Sequence, residues 1–199
     1  MMHYLDPKFL IETAGLVGVI AIIFAESGLF FGFFLPGDSL LFTAGLLASQ
    51  SLLPLLPLII GTFISAVLGD NVGYAFGKKI GPKIFTKENS LIWNKNHIAE
   101  SEEFFKKYGK KSIILARFMP IVRTFTPILA GVGSMEYKIF FAYNIVGGLL
   151  WTCGMTIGGY FFGRIIPDPD KYLLPVIAVI ILVSIAPAII EIYKSKTKK

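Results

Sequence analysis

Cysteine is almost missing from this chain: Cys153 is the single one in 199 residues. It lies in an apolar run, which excludes a disulfide framework and a thiolate metal cluster. Histidine is nearly as scarce, and His3 and His97 both sit in polar flanks. A phosphatase working through a phosphohistidine therefore has no residue to carry it. The sequence holds no His-Glu-x-x-His, no Gly-x-Ser-x-Gly and no Walker loop, and no carboxylates at metal-ligand spacing. The reading is a protein that is not an enzyme, with no cofactor and no metal. ATP hydrolysis is not available within the chain, so any pumping draws on an ion gradient or a partner. Charge is the remaining shortage, at 16% of residues against about 25% in soluble domains.

What fills the chain instead is apolar: 54% of residues are hydrophobic and the mean hydropathy is +0.69. That composition belongs to a membrane protein. The net charge of +6 does not indicate nucleic acid, because the cations are grouped. Nine lysines fall between Lys78 and Lys111 and four between Lys194 and Lys199. Both groups flank apolar stretches, which is the positive-inside pattern. The N-terminal apolar segment follows Asp6 and Lys8 with no clean Ala-x-Ala-like site, so it is read as a retained helix rather than a cleaved signal.

The hydropathy divides the chain into a first helix over 9–26, a broken segment over 27–49 and a span over 55–77. A polar loop follows over 78–111, then a second broken segment over 112–135, a span over 137–162 and a last span over 172–193. Placing both lysine groups in the cytoplasm fixes the parity. The last span then runs outside to inside and the span over 137–162 inside to outside. The stretch over 112–135 must enter and leave on the cytoplasmic side. By the same count the segment over 27–49 opens to the outside, the N-terminus is inside and the C-terminus is cytoplasmic.

Pro120, Pro127 and Pro36-Gly37 supply the bends of these two segments, because proline deletes a backbone donor and Pro-Gly marks a turn. Irregular backbone is tolerated at membrane depth only where protein or water covers it. The two segments also share a rhythm, FLPGDSLLFTAG from Phe34 to Gly45 and FMPIVRTFTPILAG from Phe118 to Gly131. The expected fold is therefore all-α and polytopic. It is an inverted repeat of two opposed re-entrant hairpins with about four transmembrane helices, and its site is at mid-membrane.

Arg117 and Arg123 lie in the second hairpin, and Glu26 and Asp38 flank the first. An Arg at mid-membrane costs roughly 2.5–3.5 kcal/mol even on the lenient insertion scale, so function is the default reading for such residues. The planar guanidinium fork suits phosphate, while the acids are candidates for proton uptake. A phosphate arriving between Arg and Glu would loosen the ion pair and link anion movement to protons. The structural alternative is a set of buried pairs that only fixes packing. Asp70 is read as a cap or pair at the cytoplasmic boundary, Trp151 as packing, and Asn144 as a bond between helices. The Gly147-Gly148 and Gly158-Gly159 pairs are read as helix contacts. The lysine-rich loop is read as surface attracted to the headgroups of membrane lipids.

Glu26, PGDSLLFTAGLLA (Pro36–Ala48), GDNVGYAFGKKIG (Gly69–Gly81), RFMPIVRTFTPILAG (Arg117–Gly131) and FFAYNIVGGLLW (Phe140–Trp151) together resemble the DedA family of bacterial membrane proteins, also described as the SNARE-associated or VTT-domain superfamily. The resemblance implies the two opposed hairpins. It also implies a flippase that returns undecaprenyl phosphate across the cytoplasmic membrane for envelope synthesis, with relatives in eukaryotes that look like phospholipid scramblases. Carried over by motif position, Arg117 and Arg123 would face the phosphate, with Glu26 and Asp38 as the embedded acids. The alternative class is a proton-linked antiporter or ion-homeostasis transporter. The partners expected are a polyprenyl-phosphate or phospholipid substrate, protons or other ions, and membrane lipids, with a homo-oligomer left open.

Overall fold

The computed structural model describes residues 7–29, 37–84, 109–133, 135–165 and 175. Pro36, most of the loop over 78–111 and the span expected over 172–193 lie outside the described residues. Those described are helical, with no strand among them. The elements are α1 (Pro7–Gly28), α2 (Gly37–Ser49), α3 (Leu55–Ile84), a 3-10 turn (Gly109–Lys111), α4 (Ser112–Ala116), α5 (Pro120–Val132) and α6 (Tyr137–Ile165).

The distribution of polarity is that of a membrane protein. Leu56, Ile60, Ile64, Leu68 and Val72 recur every fourth residue along α3, and each is at least 46% exposed. On α6, Val146, Leu149, Leu150, Ile157 and Phe161 are likewise exposed. Glu26, Thr62, Asp70, Arg117, Asn144 and Thr152 are buried instead. In water such apolar stripes would be a liability, whereas in lipid they are the required outer face. Leu55–Lys79 and Tyr137–Ile165 are each long and apolar enough to cross a bilayer, and only 39% and 33% of their most apolar windows is buried. The core helix of a soluble protein would be mostly covered. The polytopic all-α expectation therefore stands.

Contacts fix the helix directions. Tyr74 of α3 stacks on Phe140 of α6, while the Asn144 amide of α6 donates to the Val67 carbonyl of α3 at 3.1 Å. The two long helices are antiparallel. Ile113 of α4 shares a buried cluster with Phe140, and Arg117, just past its end, lies against Gly147. α4 thus runs with α6. The next helix runs against it, because Arg123 lies over Trp151 and Ala130 rejoins the Phe140 cluster. The chain goes in along α4, turns at Arg117–Met119 and comes back along α5.

Local chemistry explains that turn. Met119 is extended, with φ −121° and ψ 102°, as a residue before proline prefers. Pro120 opens α5, where its missing N–H would have been unpaired anyway. Pro127, expected to shape the bend, does not do so. It lies within an unbroken α5 and is close to Gly73 of α3, where a Cβ would come within 3.3 Å of its ring.

The first half begins with a bent helix. α1 is kinked at Gly15, whose φ is 61°, a value natural only for glycine. Beyond the kink, Ile20 meets Gly61 and Gly28 meets Gly69, so α1 and α3 run the same way. α2 runs with α6, since Asp38 bonds to Trp151 and Ser49 meets Gly163. α1 and α2 are therefore antiparallel. Residues 15–28 lie antiparallel to α2, and residues 30–36 of the segment read over 27–49 lie outside the described residues.

The short helix of each half packs against the long helix of the other. A Cβ on Gly45 of α2 would strike the Thr156 carbonyl of α6, and one on Gly159 would strike that of Phe42. A Cβ on Gly131 of α5 would strike the Tyr74 carbonyl of α3, and one on Gly77 that of Ile128. Each crossing uses one glycine from each helix, three residues beyond the carbonyl facing its partner. Such close backbone approach is the usual means of helix association where lipid supplies no hydrophobic drive.

Candidate functional site

Five helices, α1, α2, α3, α5 and α6, and the turn between α4 and α5 converge on two ion clusters. Arg123, one turn into α5, is the centre of the first. Its Nη1 donates to Asp38 Oδ1 at 2.7 Å, and its Nη2 donates to Glu26 Oε1. Glu26 comes from the end of α1 and Asp38 from the start of α2, so the guanidinium ties together both arms of the first hairpin. The Trp151 ring of α6 lies beneath it, with the guanidinium carbon 4.7 Å from the ring centroid. Trp151 Nε1 also donates to Asp38 Oδ1 at 2.6 Å. Gly37 admits Glu26 to this cluster, because a Cβ there would coincide with the carboxylate.

Arg117, on the turn between α4 and α5, organises the second cluster. Its Nη2 donates to Asp70 Oδ2 at 2.6 Å, to Asn144 Oδ1 and to the Ala66 carbonyl at 3.4 Å. Asn144 is itself held by Val67 of α3. Gly147 and Gly148 leave room for the arginine, since a Cβ on Gly147 would sit 3.0 Å from its Cδ. Arg117 Nε is buried and has no hydrogen-bond partner among the described residues. Trp151 borders this cluster too, with the Arg117 guanidinium carbon 6.0 Å from its ring centroid.

Of the residues singled out from the sequence, Arg123, Glu26 and Asp38 are brought into direct contact. Arg117 is not with them. It is 3% exposed and paired to Asp70, a residue the sequence reading placed at the cytoplasmic boundary. Asp70 is buried along α3 and is a pair, as read, with Arg117 as the partner that the sequence reading did not name. The signal was available: a carboxylate in an apolar span needs a partner, and the reading that gave Arg117 to phosphate left Asp70 without one. Trp151, read as packing, is a hydrogen-bond donor and a cation platform. Asn144, Gly147, Gly148 and Trp151 fall on one face of α6 at helical spacing, and that periodicity could have grouped them. Among the described residues no three His, Cys, Asp or Glu side chains gather as a metal site.

Chemically, the arrangement is a covered set of two guanidiniums and three carboxylates with an indole between. Arginine pairs oxyanions through parallel N–H donors, and the groups now holding Arg123 are carboxylates that another oxyanion can replace.

Comparison with known proteins finds relatives that are membrane proteins. Residues 35–166 match the family described as the VTT domain. The chain is 46% identical over 177 residues to the protein DedA of Escherichia coli K12, covering 88% of this chain and 80% of that one. It is 42% identical over 200 residues to an uncharacterized membrane protein of Mycobacterium leprae, covering 99% and 89%. It is 44% identical over 195 residues to another of Mycobacterium tuberculosis H37Rv, covering 96% and 84%. No solved structure matches it. With its motifs, its apolar outer face and its buried ion clusters in one frame, the chain belongs to the DedA family of membrane proteins, which carry the VTT domain.

Proposed function

We propose that this protein is a lipid-phosphate translocase that returns undecaprenyl phosphate across the bacterial cytoplasmic membrane, coupled to an ion gradient. One observation carries the reading: Arg123 is held between Glu26 and Asp38 over the Trp151 ring. The site is poised for exchange. A phosphate oxygen takes the place of a carboxylate on the fork, and the released carboxylate takes a proton. The indole keeps the guanidinium in position throughout, because a cation over a ring face is attracted whichever anion it pairs with.

In this reading α4 and α5 form a hairpin re-entrant from the cytoplasmic side, and residues 15–28 with α2 form one from the opposite side. Support comes from the antiparallel pairs and from the two matching glycine crossings. Inverted halves around a mid-membrane site are the usual frame for alternating access. Binding and movement of the lipid need no covalent chemistry, so the protein is treated as a non-enzyme.

A second reading is a proton-linked antiporter for small solutes. It draws on a charge count: among the described residues, the ion pairs of Glu26, Asp38 and Asp70 are with Arg117 and Arg123. When all are ionised this set carries one excess negative charge, which a coupling proton neutralises. Liposomes holding the pure protein, with labelled undecaprenyl phosphate in one leaflet and a pH step, distinguish the two. Lipid flux that follows the step and is lost in Arg123→Ala supports the translocase. Proton flux without lipid flux replaces it with the antiporter.

A further inference from the structure

A cleft apart from the ion clusters lies where α3 meets the start of α6. It has a volume of about 280 Å³ and is lined by Asn71, Tyr74, Ala75, Lys78, Lys79 and Tyr137. Its position is set by the outer face of α3. The apolar stripe ends at Val72, and Lys78 and Lys79 follow within two turns. Tyrosine and lysine at the end of an apolar span are the residues of the headgroup zone.

The aromatic part of the cleft is firmly built. The Tyr74 ring stacks on Phe140 at 4.6 Å and tilts against Tyr137 at 5.6 Å. The Tyr74 hydroxyl donates to the Met135 carbonyl at 2.5 Å, which ties the loop before α6 to α3. The ammonium groups of Lys78 and Lys79 are exposed beside these rings and supply charge-assisted donors for an oxyanion. Asn71 also lines the cleft. Its amide N donates back to Val67 at 2.7 Å, while its Oδ1 is buried with no hydrogen-bond partner among the described residues.

Two cations next to an acceptor in need of a hydrogen match one ligand chemistry closely. A phosphate monoester carries anionic oxygens for the lysines and, as a monoanion, a P–OH for Asn71. A phosphodiester has no such hydrogen. The apolar stripe of α3 gives acyl or prenyl chains a surface to follow. Asp70 lies eight residues back along the same helix, about 12 Å at the usual helical rise, so a headgroup in the cleft is near the Arg117 cluster.

We propose that this cleft is the capture site for the phosphate monoester of a lipid on the lysine-rich side of the membrane, occupied before the phosphate reaches the arginines. The proposal rests on the translocase reading and names where its substrate first docks.

The test uses the full chain in phosphatidylcholine nanodiscs with no ion gradient, so that it reads binding alone. A photoactivatable phosphatidic acid is cross-linked and the labelled peptides are mapped. Labelling is expected at the end of α3 and the start of α6. Lys78→Gln with Lys79→Gln should reduce it roughly thirtyfold, the order for two lost headgroup-facing cations, and arginine at both positions should restore it. Asn71→Leu should remove the preference for phosphatidic acid over photoactivatable phosphatidylglycerol, a diester. Labelling unchanged in the double glutamine variant overturns the site. So does equal labelling by monoester and diester in the wild type. If excess inorganic phosphate abolishes labelling, the cleft takes free phosphate and the lipid assignment falls. Labelling as described but without flux in liposomes leaves the cleft standing and removes the translocase reading.

Discussion

Trp151 Nε1 and Arg123 Nη1 donate to the same oxygen, Asp38 Oδ1, at 2.6 and 2.7 Å. The arginine also lies over the indole ring, so the three side chains close a triangle in which each touches the other two. Removing the tryptophan therefore withdraws a donor from the acid and a platform from the cation together. The two contributions can be separated. Trp151→Phe keeps a ring face and loses the N–H, while Trp151→Leu loses both. A hydrogen bond to a charged group contributes about 1.5–3 kcal/mol, and a desolvated cation–π contact about 2 kcal/mol. Lipid flux should fall about tenfold or more in the phenylalanine variant and further in the leucine variant, with both proteins still folded by circular dichroism. Equal flux in all three would mean that the triangle has no part in transport.

Arg123 spans two carboxylates with two different nitrogens, and a lysine has only one. Arg123→Lys keeps the charge and loses the fork. Flux should drop by about tenfold, or ~1.4 kcal/mol of barrier, while insertion in the membrane is unchanged. Full flux with lysine at position 123 would show that charge alone suffices and that the guanidinium geometry is incidental.

Asp70 and Arg117 are a different kind of pair, buried and shared with Asn144. Removing one member of a buried pair leaves the other uncompensated, at about 3–5 kcal/mol. Asp70→Ala should lower the melting temperature in detergent markedly. Asp70→Leu combined with Arg117→Met should recover much of that loss, since the two sites are coupled, yet remain inactive if Arg117 also handles phosphate. A double variant no more stable than Asp70→Ala would contradict the pairing.

How far the sequence could be read depends on which physical effect marks a residue. The break at Arg117–Met119 was legible because Pro120 constrains the residue before it, and Met119 is extended as that constraint demands. The acids and Arg123 were legible because charge in an apolar stretch is costly and so conspicuous. Pro127 misled for the opposite reason. A proline deletes a donor in any context, but whether the helix bends depends on its neighbours, and Gly73 leaves room for the ring of Pro127. The pairing of residues 15–28 with α2 was hidden as well, since only tertiary contacts tell which apolar segment lies against which. For Asp70 and Trp151 the sequence held a hint, a buried charge and a shared helix face, but their partners lie on distant segments and only the fold names them.

The glycine crossings are specific enough to test by contrast. Gly159 lies against the Phe42 carbonyl and Gly77 against that of Ile128, whereas a Cβ on Gly154 would meet nothing within 4 Å. Gly154→Ala should therefore express and melt like the wild type, or slightly better, because alanine is the stronger helix former by about 1 kcal/mol. Gly159→Val and Gly77→Val should each push a short helix off its long partner and lower the yield of folded protein in membranes. Overpacking of this kind costs about 1–3 kcal/mol or more. If Gly154→Ala proves as damaging as the other two, close backbone approach is not what holds the halves together.

Helix directions lead to a topology that labelling can check. With Cys153→Ala as background, single cysteines at Lys111 and Glu136 flank the hairpin of α4 and α5. Both positions are exposed, and Ile113 and Ala130, nearest to them in the hairpin, share one buried cluster. A membrane-impermeant maleimide should label both from the same side of a sealed vesicle, and that side should match a cysteine placed at Lys79. A cysteine at Gln50, beyond α2, should label only from the other face, because α2 runs parallel to α6 and away from the lysine-rich end. Labelling of Lys111 and Glu136 from opposite faces would require α4 and α5 to cross the bilayer as one element. The turn at Arg117–Met119 and the return of α5 to the Phe140 cluster would then have no place in the membrane-embedded protein.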